Sequence, residues 1–445
     1  MFRFSVIASG LAACLLLAGG LAPSLAQDDA IGRLLRRGQG SLPAAARASR
    51  APAPAPAPKA GIVPVVMSAR IGEHDDRTRL VIELSDPVNL RAFSLANPNR
   101  VILDMPEVAW RMGAPPVPSG RGLIKAYRYG LFRAGNSRMV IDLGRPARLG
   151  ETLAIPPTAG FGYRVVIDLY PTSQAAFESE AGWPADLKKR EADAERRAMV
   201  ATAPAVAGRK VVVIDPGHGG VDSGTQGVNG LLEKDLVLAE GLKLAAALRA
   251  RGFTVFMTRD KDNFVPLRDR VSFGRAHRAD LLISLHADSN PDSSVTGLSI
   301  YTLSDGRSDR EAAALAKREN QSDVIAGVDL AASSPVAPIL IDLAQRDTIN
   351  KSSRFAEGAL AQLAGATDIL PRSPHRSASL AVLVAPDVPA VLIELGYLSN
   401  RADAAQMTTD AWRTRVAGAI ASAVTRHLAG ESGAMAAAGT RPKNP

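Results

Sequence analysis

Four short runs share one design: Arg79-Leu-Val-Ile-Glu-Leu, Arg100-Val-Ile-Leu-Asp-Met, Arg138-Met-Val-Ile-Asp-Leu and Arg164-Val-Val-Ile-Asp-Leu. Each is a β-branched stretch closed by an acidic residue, and clusters of Gly, Pro and Asn separate the copies. Such side chains fit a pleated, half-buried surface, and the intervening residues are those that turn the chain. Residues 63–172 are therefore expected to form an all-β sandwich.

The pattern changes at Lys210-Val-Val-Val-Ile-Asp215, a short apolar run of the kind buried in an α/β sheet. Beyond it Val237, Gly241, Leu244 and Leu248 recur on one helical face, with Arg249, Arg251 and Gly252 marking the helix end. Apolar strands follow at Phe253–Met257 and at Asp280–His286. A last helix, with Val416, Ile420 and Val424 on one stripe, is expected to close the domain near residue 429. Residues 209–429 thus read as an α/β domain, a mixed twisted sheet flanked by helices. At 445 residues the chain is long enough for both units. Residues 27–62, with the Ala-Pro repeat of Ala51–Pro58, read as an extended linker. Residues 173–208, with the charged run Leu187–Arg197, read as a second linker carrying a short solvated helix, and 430–445 as a disordered tail.

Residues 1–26 carry a basic Arg3, an apolar run and a small-residue exit at Ser24-Leu25-Ala26, which predicts a cleaved secretory signal. The lone cysteine, Cys14, falls inside it, so the exported chain has neither a disulfide nor a thiol nucleophile. Leu11-Ala12-Ala13-Cys14 also resembles a lipoprotein box, but the apolar run continues past Cys14 where a lipidated cysteine should close it. The net charge of +9 is spread along the chain without a compact basic block or interleaved aromatics, which argues against nucleic acid and for an anionic envelope polymer or membrane surface. No later segment is long and apolar enough to span a bilayer.

The chemistry lies in four dispersed segments. Ile214-Asp-Pro-Gly-His218-Gly-Gly ends a strand in a turn with almost no side-chain cover, so a metal can approach His218 closely. Glu233 opens a helix in Leu231-Leu-Glu-Lys-Asp-Leu-Val-Leu, and His286 ends the strand Asp280–His286 before Ala287-Asp288. Together these offer a His/Glu/His set for one zinc ion with a position left open for water. Glu394, after Val391-Leu-Ile393, supplies a further carboxylate suited to accept the water proton and pass it to the leaving group. Asp215 is placed to hold the His218 ring or a neighbouring amide.

These motifs carry two resemblances. Residues 63–172 resemble the AMIN domain, a β-sandwich found ahead of cell-wall amidases, which implies targeting to peptidoglycan or the division site. Residues 209–428 resemble the zinc-dependent N-acetylmuramoyl-L-alanine amidases of the Amidase_3 family, through IDPGHGG, LLEKDLVL, LRDRVSFGRAHRADLLISLHAD and PAVLIELGYLSN. That resemblance implies a periplasmic enzyme cutting the amide between N-acetylmuramic acid and L-alanine in septal wall splitting. By motif position His218, Glu233 and His286 match its zinc ligands and Glu394 its catalytic glutamate. Gly274-Arg275 departs from the frequent Ala-Asn at a helix surface. Residues 298–351 look like the inhibitory insertion of division-associated members, with Glu319 at the position of the metal-contacting glutamate. LytM-domain activators are the implied partners. Two other readings compete: a silent peptidoglycan adaptor, and a zinc peptidase acting on stem peptides.

Overall fold

The structure, a computed structural model, describes residues 63–112, 120–158, 160–189, 209–304, 309–328 and 341–439. The signal segment, the Ala-Pro linker, most of the charged run after Leu187 and the last six residues lie outside them.

The first domain holds nine strands: β1 (Val65–Glu73), β2 (Thr78–Leu84), β3 (Arg91–Leu95), β4 (Arg100–Pro106), β5 (Ala109–Trp110), β6 (Ile124–Arg133), β7 (Asn136–Leu143), β8 (Ala147–Ile155) and β9 (Tyr163–Pro171). They form two sheets, β5-β1-β2-β9-β8 and β3-β4-β7-β6. The four repeats are β2, β4, β7 and β9, the central strands of the two sheets. In each, the first, third and fifth residues after the arginine enter one shared core: Leu80, Ile82 and Leu84; Val101, Leu103 and Met105; Met139, Ile141 and Leu143; Val165, Ile167 and Leu169. Arginine and acid therefore share the opposite face, because side chains alternate along a strand. Antiparallel pairing then sets Arg79 against Asp168 and Glu83 against Arg164 in one sheet, and Arg100 against Asp142 and Asp104 against Arg138 in the other. The helix α1 (Gln174–Glu180), capped by Ser173, follows and buries Phe177 in the sandwich core, so the segment after residue 172 begins as part of the domain.

The second domain is one six-stranded sheet in the order β11-β10-β12-β15-β13-β14: β10 (Val211–Pro216), β11 (Thr254–Met257), β12 (Leu281–His286), β13 (Ser299–Leu303), β14 (His375–Ala378) and β15 (Ala390–Glu394). The strands β11, β10, β12 and β15 run parallel, and β13 is antiparallel to β15. Helices α2 (Glu233–Arg249), α3 (Leu267–Ala276), α4 (Arg310–Glu319), α5 (Ser322–Ile325), α6 (Ile341–Leu363), α7 (Arg401–Met407) and α8 (Asp410–Gly439) accompany it. Val237, Leu244 and Leu248 of α2 pack with Val416, Ile420 and Val424 of α8 in the main core, as their stripes predict.

Two boundaries differ from the sequence reading. The expected insertion of 298–351 is narrower, because β13 is wholly buried in the sheet and α6 contributes Phe355, Ala356, Ala359 and Leu363 to the main core. Among the described residues, Asp309–Val328 leave the sheet layers. The terminal helix runs on to Gly439 rather than stopping near 429, since the Ala-rich stretch there keeps high helix propensity.

Candidate active site

Three strand ends and one helix start converge at the carboxyl edge of the parallel strands, where ligands gather in open α/β sheets. His286 and Glu394 end adjacent strands and are register partners. The chain leaving β10 passes through Gly217 into His218. A Cβ on Gly217 would lie 2.4 Å from the His286 ring, so only glycine lets the loop through. His218 itself has φ 58°, a left-handed conformation that costs a residue with a Cβ about 1–3 kcal/mol. Two buried arginines hold it there. Arg270 donates to the carbonyls of Pro216 and His218 at 2.8 and 2.7 Å, and Arg259 to those of Pro216 and Gly217 at 2.9 and 2.7 Å.

The donor atoms meet closely. His218 Nε2 lies 3.1 Å and His286 Nδ1 3.2 Å from Glu233 Oε1. Glu319 Oε2 stands 2.9 Å from His286 Nδ1 and 3.4 Å from His218 Nε2. His286, Glu319 and Glu394 also offer ligand atoms within 4.8 Å of one another. A tetrahedral ion with bonds of about 2.0 Å separates its ligands by about 3.3 Å, which these spacings match. His218 Nε2, Glu319 Oε2 and Glu394 Oε1 are buried without a hydrogen bond. Orphaned atoms of this kind, beside the ligand atoms of His218, Glu233 and His286, fit a cation held there.

The electrostatics agree. Burial opposes charge on both rings, yet Glu233 and Asp222 hold His218 well above its ordinary value, while Glu319 and Glu233 push His286 up to about 10. This is the response of imidazoles in a pocket with surplus negative charge. Glu233 is tethered through backbone amides, its Oε2 accepting from Thr225 at 2.9 Å and its Oε1 from Ala287 at 2.9 Å. Glu394 accepts only from the Asp288 amide, at 3.0 Å. Burial holds its carboxyl well above the usual range, and Asp288, Glu233 and Glu319 add to that against the pull of His286.

Asp215 acts differently from its sequence expectation. Its carboxylate accepts from Thr258 at 2.6 Å, Ser284 at 2.7 Å and Arg270 at 2.8 Å, and so reaches the His218 backbone through Arg270. The carboxylate on the His218 ring is Asp222, 2.9 Å from Nδ1. It lies four residues beyond His218, in a Gly-Gly-Val-Asp turn whose fold the strand pattern does not foretell.

Comparison with known proteins fits this geometry. Residues 212–426 match the N-acetylmuramoyl-L-alanine amidase family and residues 68–149 the AMIN domain. The chain is 32% identical over 408 residues to the N-acetylmuramoyl-L-alanine amidase AmiC of Neisseria meningitidis, covering 89% of this chain and 96% of that one. The chain belongs to the N-acetylmuramoyl-L-alanine amidase family. A similar likeness, 32% over 382 residues and 82% of this chain against 90% of the other, links this amidase to AmiC of Escherichia coli. Among solved structures, AmiC2 of Nostoc punctiforme is 28% identical with a TM-score of 0.38, over 50% of this chain and 98% of that one. The protein is thus a peptidoglycan amidase with an AMIN domain and a His/Glu group suited to a metal.

Glu319 reaches this site because α4 is well anchored. Asp309 caps its start, accepting from Ala312 at 2.8 Å, and Ala312, Leu315, Ala316 and Glu319 face inward at helical spacing. Arg318 clasps Asp288 at 2.7 and 2.5 Å, and Ser322 donates to Asp222 at 2.5 Å. The cleft beside His218 and His286 is walled by Glu319, Asn320 and Ser322. Arg318, Asp288 and Ser322 escaped the sequence reading, since nothing local in a charged helix tells which carboxylate it will meet.

Proposed function

We propose that this amidase is a periplasmic zinc enzyme of septal wall splitting, held silent at rest by Glu319 and switched on by a LytM-domain partner. His218, Glu233 and His286 would hold one zinc ion, which supplies Lewis acidity at the substrate carbonyl and acidifies a water. Glu394 accepts the proton of the attacking water and hands it to the departing L-alanine nitrogen as the bond to the lactyl carbonyl breaks. Its buried, proton-retentive setting suits both halves of that transfer. Asp222 keeps the His218 ring turned so that Nε2 faces the site. Glu319, 2.9 Å from His286 Nδ1, would compete with a substrate carbonyl or water for the ion. Export rests on the residue pattern of the first 26 positions. Among the described residues no helix is long and apolar enough to cross a membrane.

The observation that carries this reading is the meeting of buried ligand atoms of His218, Glu233 and His286 within 4.8 Å of one another, with Glu319 and Glu394 forming a second such group around His286. The test is digestion of purified peptidoglycan by the full chain and its Glu319→Ala variant, with products read by mass spectrometry. Intact stem peptides, higher basal release in Glu319→Ala, loss with EDTA and recovery with zinc are expected. Shortened stems would move the protein to the peptidases, no release in either form to the adaptors, and indifference to chelation would remove the metal. Glu394→Gln should lower release about 10²–10⁴-fold with the bound zinc content unchanged.

A further inference from the structure

The site is covered by a segment that the β-domain itself grips. Residues Ser322–Val328 follow Glu319 directly, and their carbonyls at the end of α5 point into the outer face of the sheet β3-β4-β7-β6. Arg128 Nε donates to Ile325 O at 2.8 Å, Arg138 Nη1 to Ala326 O at 3.1 Å and Gly327 O at 3.0 Å, and Arg100 Nη1 to Val324 O. Four consecutive carbonyls are thereby capped by three guanidinium groups from three strands. Val324 O also accepts from Gly327 N at 3.1 Å, and the carbonyls that a helix end leaves without backbone partners are partially negative, which cations relieve.

The arginines are held ready by their neighbours. Asp104 fixes Arg138 through paired bonds of 2.6 and 2.8 Å, and Asp142 fixes Arg128 at 2.9 and 2.8 Å. Arg138 also lies 3.6 Å over the Phe132 ring, whose face stacks on Phe264 of the second domain at 5.8 Å. Ala326 joins Phe132 and Phe264 in one apolar cluster with Ile102 and Val140, the repeat residues on the outer face of the sheet. On the catalytic side β6 touches the His218 loop: a Cβ on Gly130 would meet Gly220 backbone at 2.3 Å, and Leu131 O accepts from Phe264 N at 3.1 Å. The described residues of both domains lie in one compact unit.

We propose that this sheet of the β-domain is the latch of the amidase: Arg100, Arg128 and Arg138 hold the 322–328 segment, and with it Glu319, over the active site. The inference rests on the reading of Glu319 as a brake. Release of the β-domain from the second domain frees the segment, so attachment of the β-domain and access to the site are one equilibrium.

The test is the full chain carrying Arg100→Ala together with Arg128→Ala, with Arg138 left in place to keep its pair with Asp104. Ala326→Lys, which sets a cation against the three arginines and leaves the β-domain sequence unaltered, is the second variant, and Arg164→Ala, the counterpart of Arg100 in the other sheet, is the control. Hydrogen exchange of residues 320–328 and basal hydrolysis of purified peptidoglycan are read in parallel, beside Glu319→Ala. Faster exchange and about five- to tenfold more hydrolysis are expected in both latch variants, and neither in the control. Unchanged exchange in both overturns the latch. Faster exchange without added hydrolysis, while Glu319→Ala is activated, overturns its control of the site. If Glu319→Ala gains nothing, the brake reading fails, and exchange alone still decides whether the sheet holds the segment.

Discussion

The two sheets of the β-domain carry the same Arg-to-acid ladder and use it differently. In the sheet containing β2 and β9, Arg79 closes on Asp168 at 2.7 Å through both nitrogens, and Arg164 donates to Thr158 within the same domain. In the sheet containing β4 and β7, Arg138 closes on Asp104 in the same way, but Asp142 is taken by Arg128 from β6. Arg100, opposite Asp142 in the register, is thereby released to reach Val324 in the second domain. One added arginine on a neighbouring strand turns a self-contained ladder into a docking face. Identical motifs therefore do not carry identical interactions, because a buried charge pairs with whichever partner packing brings nearest.

The sharpest way to break this comparison is to remove the shared element. Arg138→Ala leaves Asp104 buried without its partner and uncaps two carbonyls, and should cost about 3–5 kcal/mol in the β-domain unfolding transition seen by calorimetry. Glu240 in α2 marks the opposite limit, a fully buried carboxylate with neither oxygen hydrogen-bonded and burial raising its pKa to about 8. The unfolded chain ionises near 4.5 and the folded one only near 8, so the native state loses stability as pH rises between them. Glu240→Gln should thus raise the unfolding free energy by an increment that grows through that window and is constant above it, on the order of 5 kcal/mol at its plateau. Arg79→Ala should cost less than Arg138→Ala, about 2 kcal/mol by denaturant titration, because Arg77 Nε already stands 3.4 Å from Asp168 and can take over part of the pairing. An equal or larger loss would show that Arg77 does not substitute. Arg91→Ala, which removes an ion pair with Asp186 that is exposed on both sides, should change stability by less than about 1 kcal/mol and less still in high salt.

Much of this molecule could be read along the chain. Leu80, Ile82 and Leu84 announce a strand face by alternation alone, and Val237, Leu244 and Leu248 a helix face by their spacing. His218, Glu233, His286 and Glu394 were visible because donor residues at strand ends and at a helix start are unusual and local. The extent of the excursion is not legible along the chain, since Ser299–Leu303 and the helix from Ile341 owe their places to β15 and the main core, contacts distant in sequence. Asp222 was missed because its approach to His218 depends on a turn with left-handed residues at 218, 219 and 220.

By itself the sequence determined the alternation that builds each strand face, the kinds of donor atom available and the strand ends from which they project, all properties of neighbours within a few residues. Tertiary structure alone decided that His286 and Glu394 stand side by side, that Glu319 comes within 2.9 Å of His286, and that one sheet's arginines meet the segment beyond it. Those outcomes depend on register between strands and on which charges are buried together. Such choices are made by long-range packing, where a guanidinium or carboxylate removed from water must take the partner within reach.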